Sequence, residues 1–238
     1  MLKVSNVKVY DLVESVIASG NAMRINPIED LSQFDESSEE FQKGIKRMIR
    51  LNKASMGEVK CHNHALCGIR VAFDVVYPQY WTPEFQRYNF ADIVTSSSKM
   101  HKLSKMSLRK STNKYTSPEA IRIAQEAVDN YNRIVKDKTI DKFGYWDTST
   151  DYDKWIEVKG RDNAVYTAFI VMVSSCPLGL ELFMRVDTNY LELQNIYFQR
   201  RHHKLIEDWQ EGFCQDFIEK LPYFKELILG QDDRQSIA

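Results

Sequence analysis

Apolar positions recur along this chain with two different periods. Val4 to Tyr10 alternates as a short strand would, and a short helix is expected after it, ending near Ser19-Gly20. Residues 26–38 are acidic and irregular and read as a loop. From Glu39 to Lys53, Phe41, Ile45, Met48, Ile49 and Asn52 fall three and four apart, which predicts a helix with one buried face. Ile69 to Tyr77 is the clearest strand: Ile69, Val71, Phe73, Val75 and Tyr77 alternate with Arg70, Ala72, Asp74 and Val76. Pro78 and Pro83 then bracket a turn or short helix that carries Trp81.

Residues 87–116 are polar, rich in Ser and Lys, and show no period. Ser117-Pro118-Glu119 is a helix start, with a hydroxyl cap, a proline at the first helical position and an acid after it. Ala120, Ile121, Ala124, Ala127, Val128, Tyr131, Ile134 and Val135 give that helix one apolar face. Lys136 to Arg161 reads as a charged, aromatic connector. Asn163 to Val173 is continuously apolar, so periodicity leaves strand and buried helix both open. Helices are expected over Asn189–His203 and Glu207–Glu219, with Pro222 ending the second and a polar tail over 231–238. Strands and helices mix along the chain without repeats or linkers. The expected class is α+β, one domain over 1–230, with long helices covering a sheet.

Composition narrows the function. The chain has 238 residues with 32 Lys+Arg against 33 Asp+Glu, so it lacks the bulk positive charge that polyanion binders use. No stretch reaches the roughly 18–20 apolar residues of a membrane helix, and no basic stretch leads into an apolar run at the N-terminus. Four cysteines, Cys61, Cys67, Cys176 and Cys214, are too few for a disulfide framework in a chain this long, which points to a soluble cytoplasmic protein with reduced thiols.

Three clusters offer chemistry. Cys61, His62, His64 and Cys67 are zinc-ligand types, and a closed four-ligand site could use this cluster with Cys214 or His202. The cluster lacks a Cys-x-x-Cys pair, and Cys67 precedes a strand that would draw it into the core as a small hydrophobe; no metal is expected. Lys99, His101, Lys102, Lys105, Arg109, Lys110 and Lys114 form a basic stretch. Its bland reading is a solvated loop; one small phosphate suits it better than a nucleic acid, although a nucleic-acid binder using 99–114 stands as a third reading. Asn189 to Trp209 holds several amides with Arg200. On a helix Glu192, Asn195 and Gln199 share one face, while Asn189, Asn195 and Arg200 lie on neighbouring faces. Neither a Gly-rich dinucleotide fingerprint nor a P-loop is present.

Three blocks together resemble the flavin-dependent thymidylate synthases. Gly57 and His64 keep that family's glycine–histidine spacing ahead of an apolar strand, with Asn63 where the family has Glu. In the stretch Arg87 to Met100, Arg87 and Ser97 match the family's R-H-R-x-x-S-x-N-x-x-S-x-R-Y motif, and Lys99 replaces its last Arg. Pro177, Asn189, Asn195 and Arg200 reproduce the family's spacing of twelve, six and five without a gap, and Trp209 and Pro222 follow where expected. Val173 stands where the family carries an Arg.

The resemblance implies a thymidylate synthase-complementing protein-like fold. It implies transfer of a one-carbon unit from methylenetetrahydrofolate to dUMP, with FAD as hydride carrier and NADPH as its reductant. By the same resemblance His64, Arg87, Asn189 and Asn195 would hold the flavin, Ser97 and Lys99 the nucleotide phosphate, and Arg200 would orient the base as the catalytic residue. A homotetramer is implied as well. The departures at 63, 88–100 and 173 leave a divergent relative, acting on or merely binding another pyrimidine nucleotide, as the alternative.

Overall fold

The computed structural model describes residues 2–55 and 62–232. Gly57 and Cys61 lie outside the described residues, as do positions 233–238 of the expected tail. In chain order the labelled elements are β1 (Lys3–Tyr10), α1 (Leu12–Ala18), α2 (Glu39–Ser55), β2 (Arg70–Pro78), α3 (Thr82–Phe85), β3 (Asp92–Ser96), α4 (Lys99–Lys102), α5 (Leu108–Ser111), α6 (Pro118–Lys136), β4 (Lys142–Asp147), β5 (Lys154–Lys159), α7 (Arg161–Ser174), β6 (Glu181–Asn189) and α8 (Tyr190–Arg200). The architecture is α+β with antiparallel pairing of β1 with β2, β3 with β6, and β4 with β5. Packing resolves it into two compact units.

The first unit takes the chain up to Tyr77, then Trp81–Ser96 and everything from Phe183. Its four-stranded sheet runs β1-β2-β6-β3. The alternation read from Ile69 to Tyr77 is real: Val71, Phe73, Val75 and Tyr77 are buried. Phe73 meets Phe213 and Phe217, while Trp81 stacks on Phe85 at 4.5 Å and lies 4.7 Å from Trp209. This aromatic core lies under a wide π-type helix, Ile206–Gln215, which shortens the helix expected over Glu207–Glu219. Helix α2 buries Phe41, Ile45, Met48 and Ile49, as its period requires. Gly44 lets α2 approach α1 closely, since a Cβ there would sit 2.6 Å from Val16 Cγ1 and 2.7 Å from Val16 O.

The second unit takes residues 78–80 and 97–182. The apolar run left open in the sequence is helix α7. Leu103, Leu108, Ala124, Ala127, Val128, Met172 and Leu180 form its core, and Tyr131 meets Phe169 at 5.8 Å. Ser117 caps α6 as expected, its hydroxyl accepting the Glu119 amide at 3.2 Å. The stretch read as a connector is the hairpin β4–β5, in unbroken register from Lys142↔Lys159 to Asp147↔Lys154. Among the described residues no helix is long and apolar enough to cross a membrane.

Candidate functional site

Helix α8 begins where β6 ends. Asn189 is its cap: the Oδ1 atom accepts the Glu192 amide at 2.9 Å, and the side chain is buried. That cap sets the phase of the helix, so the i, i+3, i+7 spacing turns Glu192, Asn195 and Gln199 to one face. With Arg200 they form one wall of a cleft of about 330 Å³ whose other wall is Arg87, Tyr88, Asn89 and Phe90, the residues leading into β3. Glu192 ties the walls together. It accepts from Asn195 Nδ2 at 3.4 Å and from the Phe90 amide, and burial pushes its carboxyl above the usual glutamate range.

Arg200 is the best-braced side chain in the cleft. Its Nε donates to Tyr88 Oη at 2.7 Å and its Nη1 to Glu84 Oε2 at 3.2 Å. The guanidinium lies over the Trp209 ring at 4.8 Å and the Tyr88 ring at 5.7 Å. Tyr88 in turn donates to Gln199 Oε1 at 3.2 Å, and burial raises its phenol. Glu84 Oε2 also accepts the Trp209 indole N–H at 2.8 Å and lies 3.5 Å from His203 Nε2. Desolvation lowers the His203 pKa, which favours a neutral ring.

A second polar network lies behind the cleft. Asn63 Nδ2 donates to Gln194 Oε1 at 2.7 Å. Gln194 Nε2 donates to Asn52 Oδ1 at 3.0 Å and to the Ile228 carbonyl at 2.8 Å, and Asn52 Nδ2 reaches the Leu227 carbonyl. Buried amides cost free energy unless paired, and here they pair with one another and with the backbone of the last described helix. Asn63 therefore braces the fold through Gln194.

The expected site residues are distributed as follows. Arg87, Asn195 and Arg200 converge on the cleft. Asn189 is next to it in sequence, but its side-chain oxygen is occupied by the helix cap. His64 is exposed, in the turn His64–Gly68 ahead of β2, with Cys67 Sγ 3.7 Å from its Nδ1. Ser97 and Lys99 belong to the second unit, Lys99 opening α4. Val173 packs on the core of that unit. Burial raises the Cys67 and Cys176 thiols and pushes Cys214 up to about 12, so none of the three is a ready thiolate. Of the zinc-type cluster, Cys61 lies outside the described residues, and no group of three or more potential ligands occurs among those described.

Glu84, Tyr88 and the Asn52–Gln194 pair were not singled out from sequence. Glu84 directly follows the turn bracketed by Pro78 and Pro83, Tyr88 lies in the stretch with no period, and their partners are more than a hundred positions away. Only Glu84's place one helical turn before Arg87–Tyr88 hints at a shared surface.

No protein-family model matches the chain, and no curated protein does. Solved structures do. Thymidylate synthase X (ThyX) from Helicobacter pylori, determined with FAD and dUMP, superposes with a TM-score of 0.57 at 13% identity, covering 96% of this chain and 97% of that one. A second structure of flavin-dependent thymidylate synthase ThyX from Helicobacter pylori, complexed with FAD and dUMP, gives 0.53 at 14% identity, with 95% and 96% covered. Near-complete coverage of both chains at so low an identity is a likeness of fold. The chain thus has the α+β fold of the flavin-dependent thymidylate synthases.

Proposed function

We propose that the chain is a nucleotide-methylating flavoenzyme of the thymidylate synthase type, acting on dUMP or a related pyrimidine nucleotide. The observation that carries this reading is the cleft at α8, where Arg87, Asn195 and Arg200 converge within that fold. The donor set suits such ligands. Arg87 is an exposed cation for a phosphate, the amides of Asn195 and Gln199 supply directional hydrogen bonds, and Arg200 offers a fixed guanidinium edge.

The same residues fit part of an FAD, with His64 as a further candidate contact. The bound flavin would supply hydride transfer, with NADPH as reductant and methylenetetrahydrofolate as one-carbon donor. A cleft of about 330 Å³ is at the small end of ligand pockets, which run to ~1,000 Å³, so a dinucleotide needs walls beyond it. Further copies of the chain would supply such walls, and a homotetramer is proposed as the assembly. Ser97 and Lys99 are proposed as phosphate contacts, and the cytoplasm as the compartment, which supplies nucleotide and reduced thiols alike.

The test is spectroscopic. Purified protein should carry or take up FAD, with the flavin absorbance band and quenched flavin fluorescence. Saturating dUMP at about 100 times its Kd should then add about 2.7 kcal/mol, or roughly 5–10 °C in Tm. Protein that stays colourless with FAD and is not stabilised by any pyrimidine nucleotide refutes the proposal.

A second reading keeps the fold and changes the nucleotide. Val173 favours it, because an apolar side chain packed on the second unit's core replaces the cation the resemblance calls for. Stabilisation by another pyrimidine nucleotide, with none by dUMP, decides for it.

A further inference from the structure

The two arginines of the cleft are in opposite electrostatic states. Arg87 is exposed and makes no ion pair among the described residues. Arg200 is 14% exposed and pairs with Glu84, itself 26% exposed, through Nη1 and Oε2 at 3.2 Å. The pair is braced on every side: Tyr88 Oη takes Nε, Trp209 lies under the guanidinium plane, and the Trp209 indole N–H donates to the same Glu84 oxygen. Glu84 itself is held on the single-turn helix α3, whose neighbours Trp81 and Phe85 are fully buried. The backbone that carries the carboxylate is thus anchored in the aromatic core, and the carboxylate itself is held by Arg200 and the Trp209 indole.

We propose that Glu84 is the specificity-determining, positioning residue of this cleft. It fixes the orientation of Arg200 and cancels its charge, so that Arg200 meets a neutral acceptor edge, such as the carbonyls of a pyrimidine ring. Within the cleft, anionic groups are left to Arg87, whose cation is exposed. This inference rests on the nucleotide-binding reading above.

The physical reason is the short distance between the two charges. A phosphate brought to Arg200 would sit within a few ångströms of the Glu84 carboxylate, and the repulsion would offset most of the attraction. A neutral carbonyl oxygen feels little of that repulsion and keeps the hydrogen bond. A braced guanidinium also loses little side-chain entropy on binding, which favours a weak, directional acceptor over a diffuse charge.

The experiment compares three probes on the full chain by calorimetry at low and high salt: deoxyuridine, dUMP and pyrophosphate. Glu84→Gln keeps an acceptor for Arg200 and for the Trp209 indole but removes the charge. Its Tm should stay near that of the wild type. Its affinity for pyrophosphate should rise roughly tenfold, the scale of one partly buried charge interaction, and fall again with salt. Its preference for dUMP over deoxyuridine should rise with it. Adding Arg200→Gln should erase the gain, which assigns it to Arg200 and not to Arg87.

An unchanged pyrophosphate affinity in a folded Glu84→Gln protein overturns the inference, as does a gain that survives Arg200→Gln. Should Glu84→Gln melt far below the wild type, Glu84→Asp decides. It retains the charge while shortening the reach, so pyrophosphate affinity should stay near the wild-type value while deoxyuridine affinity falls. A rise in pyrophosphate affinity in that variant is the opposite result. Wild-type protein that binds none of the three probes and no flavin brings down the functional reading and this inference together. Wild-type binding with no response to Glu84→Gln brings down this inference alone.

Discussion

Gln194→Leu removes the centre of the amide network behind the cleft while nearly conserving side-chain volume. Three hydrogen bonds are lost at once: one from Asn63, one to Asn52 and one to the Ile228 carbonyl. Asn63 is half-buried, and water can replace its partner. Asn52 is 1% exposed and Ile228 fully buried, so their acceptors lose their Gln194 donor where water does not reach. Each such loss costs about 1–3 kcal/mol, or about 2–6 kcal/mol for the two. The leucine returns about 1–2 kcal/mol through apolar burial. Taken at the midpoints of these ranges, the net expectation is a loss of about 2.5 kcal/mol, or roughly 5–10 °C in Tm for a chain of this size. Urea denaturation with a two-state fit measures it, and a second probe of unfolding checks that the transition stays cooperative. Gln194→Leu combined with Asn52→Leu should cost clearly less than the sum of the two single changes, because each single change already breaks the hydrogen bond that joins the two amides. A loss below about 0.5 kcal/mol for Gln194→Leu, or strict additivity in the pair, would refute the claim that these amides act as one unit.

Arg200→Ala should abolish nucleotide binding in calorimetry while lowering stability by only about 1–2 kcal/mol, because Glu84 keeps the Trp209 indole and partial access to water when the cation–π contact is lost. A Tm collapse would mean that Arg200 serves the fold more than the cleft. Gly44→Ala should cost about 1–3 kcal/mol by forcing α2 off α1, since the new Cβ meets the Val16 backbone oxygen; thermal denaturation reads it directly.

For Glu192 the folded pKa lies above the unfolded one because the carboxyl is buried. Its contribution is therefore complete below the ordinary glutamate value of ~4.3 and is lost as pH rises through the higher folded value. Glu192→Gln should flatten the fall in Tm between mildly acidic and neutral pH, and identical pH profiles would contradict the assignment. Ser117→Ala should cost about 1 kcal/mol through loss of the α6 cap.

Elements with one buried face could be read from the chain alone. β2, α2 and α6 each bury residues at the period that defines the element, so the pattern of Val71, Phe73 and Val75, or of Phe41, Ile45, Met48 and Ile49, is itself the record of the packing. The helical spacing also put Glu192, Asn195 and Gln199 on one face of α8, whereas Arg87 and the role of Arg200 were reached only through the family resemblance. Other elements left no such record. β3 is exposed at all five positions, and the β4–β5 hairpin buries none of its residues fully; its clearest alternation is the short Ile156–Val158 stretch of β5, too brief to stand out from a charged segment. β6 hides behind charges that read as surface, Arg185 and Asp187. They lie across the sheet from Asp74 and Arg70, in ion pairs that exist only once β2 and β6 lie side by side.

The sequence alone thus determined where one-sided burial would form helices and strands, and which polar residues were candidates for a ligand. Tertiary structure alone decided how those polar residues are paired. Glu84 meets Arg200, Tyr88 meets Gln199 and Asn63 meets Gln194 across more than a hundred positions of chain. Local period carries no information about such partners, because a charge or an amide looks the same in sequence whether water, a ligand or a distant side chain satisfies it.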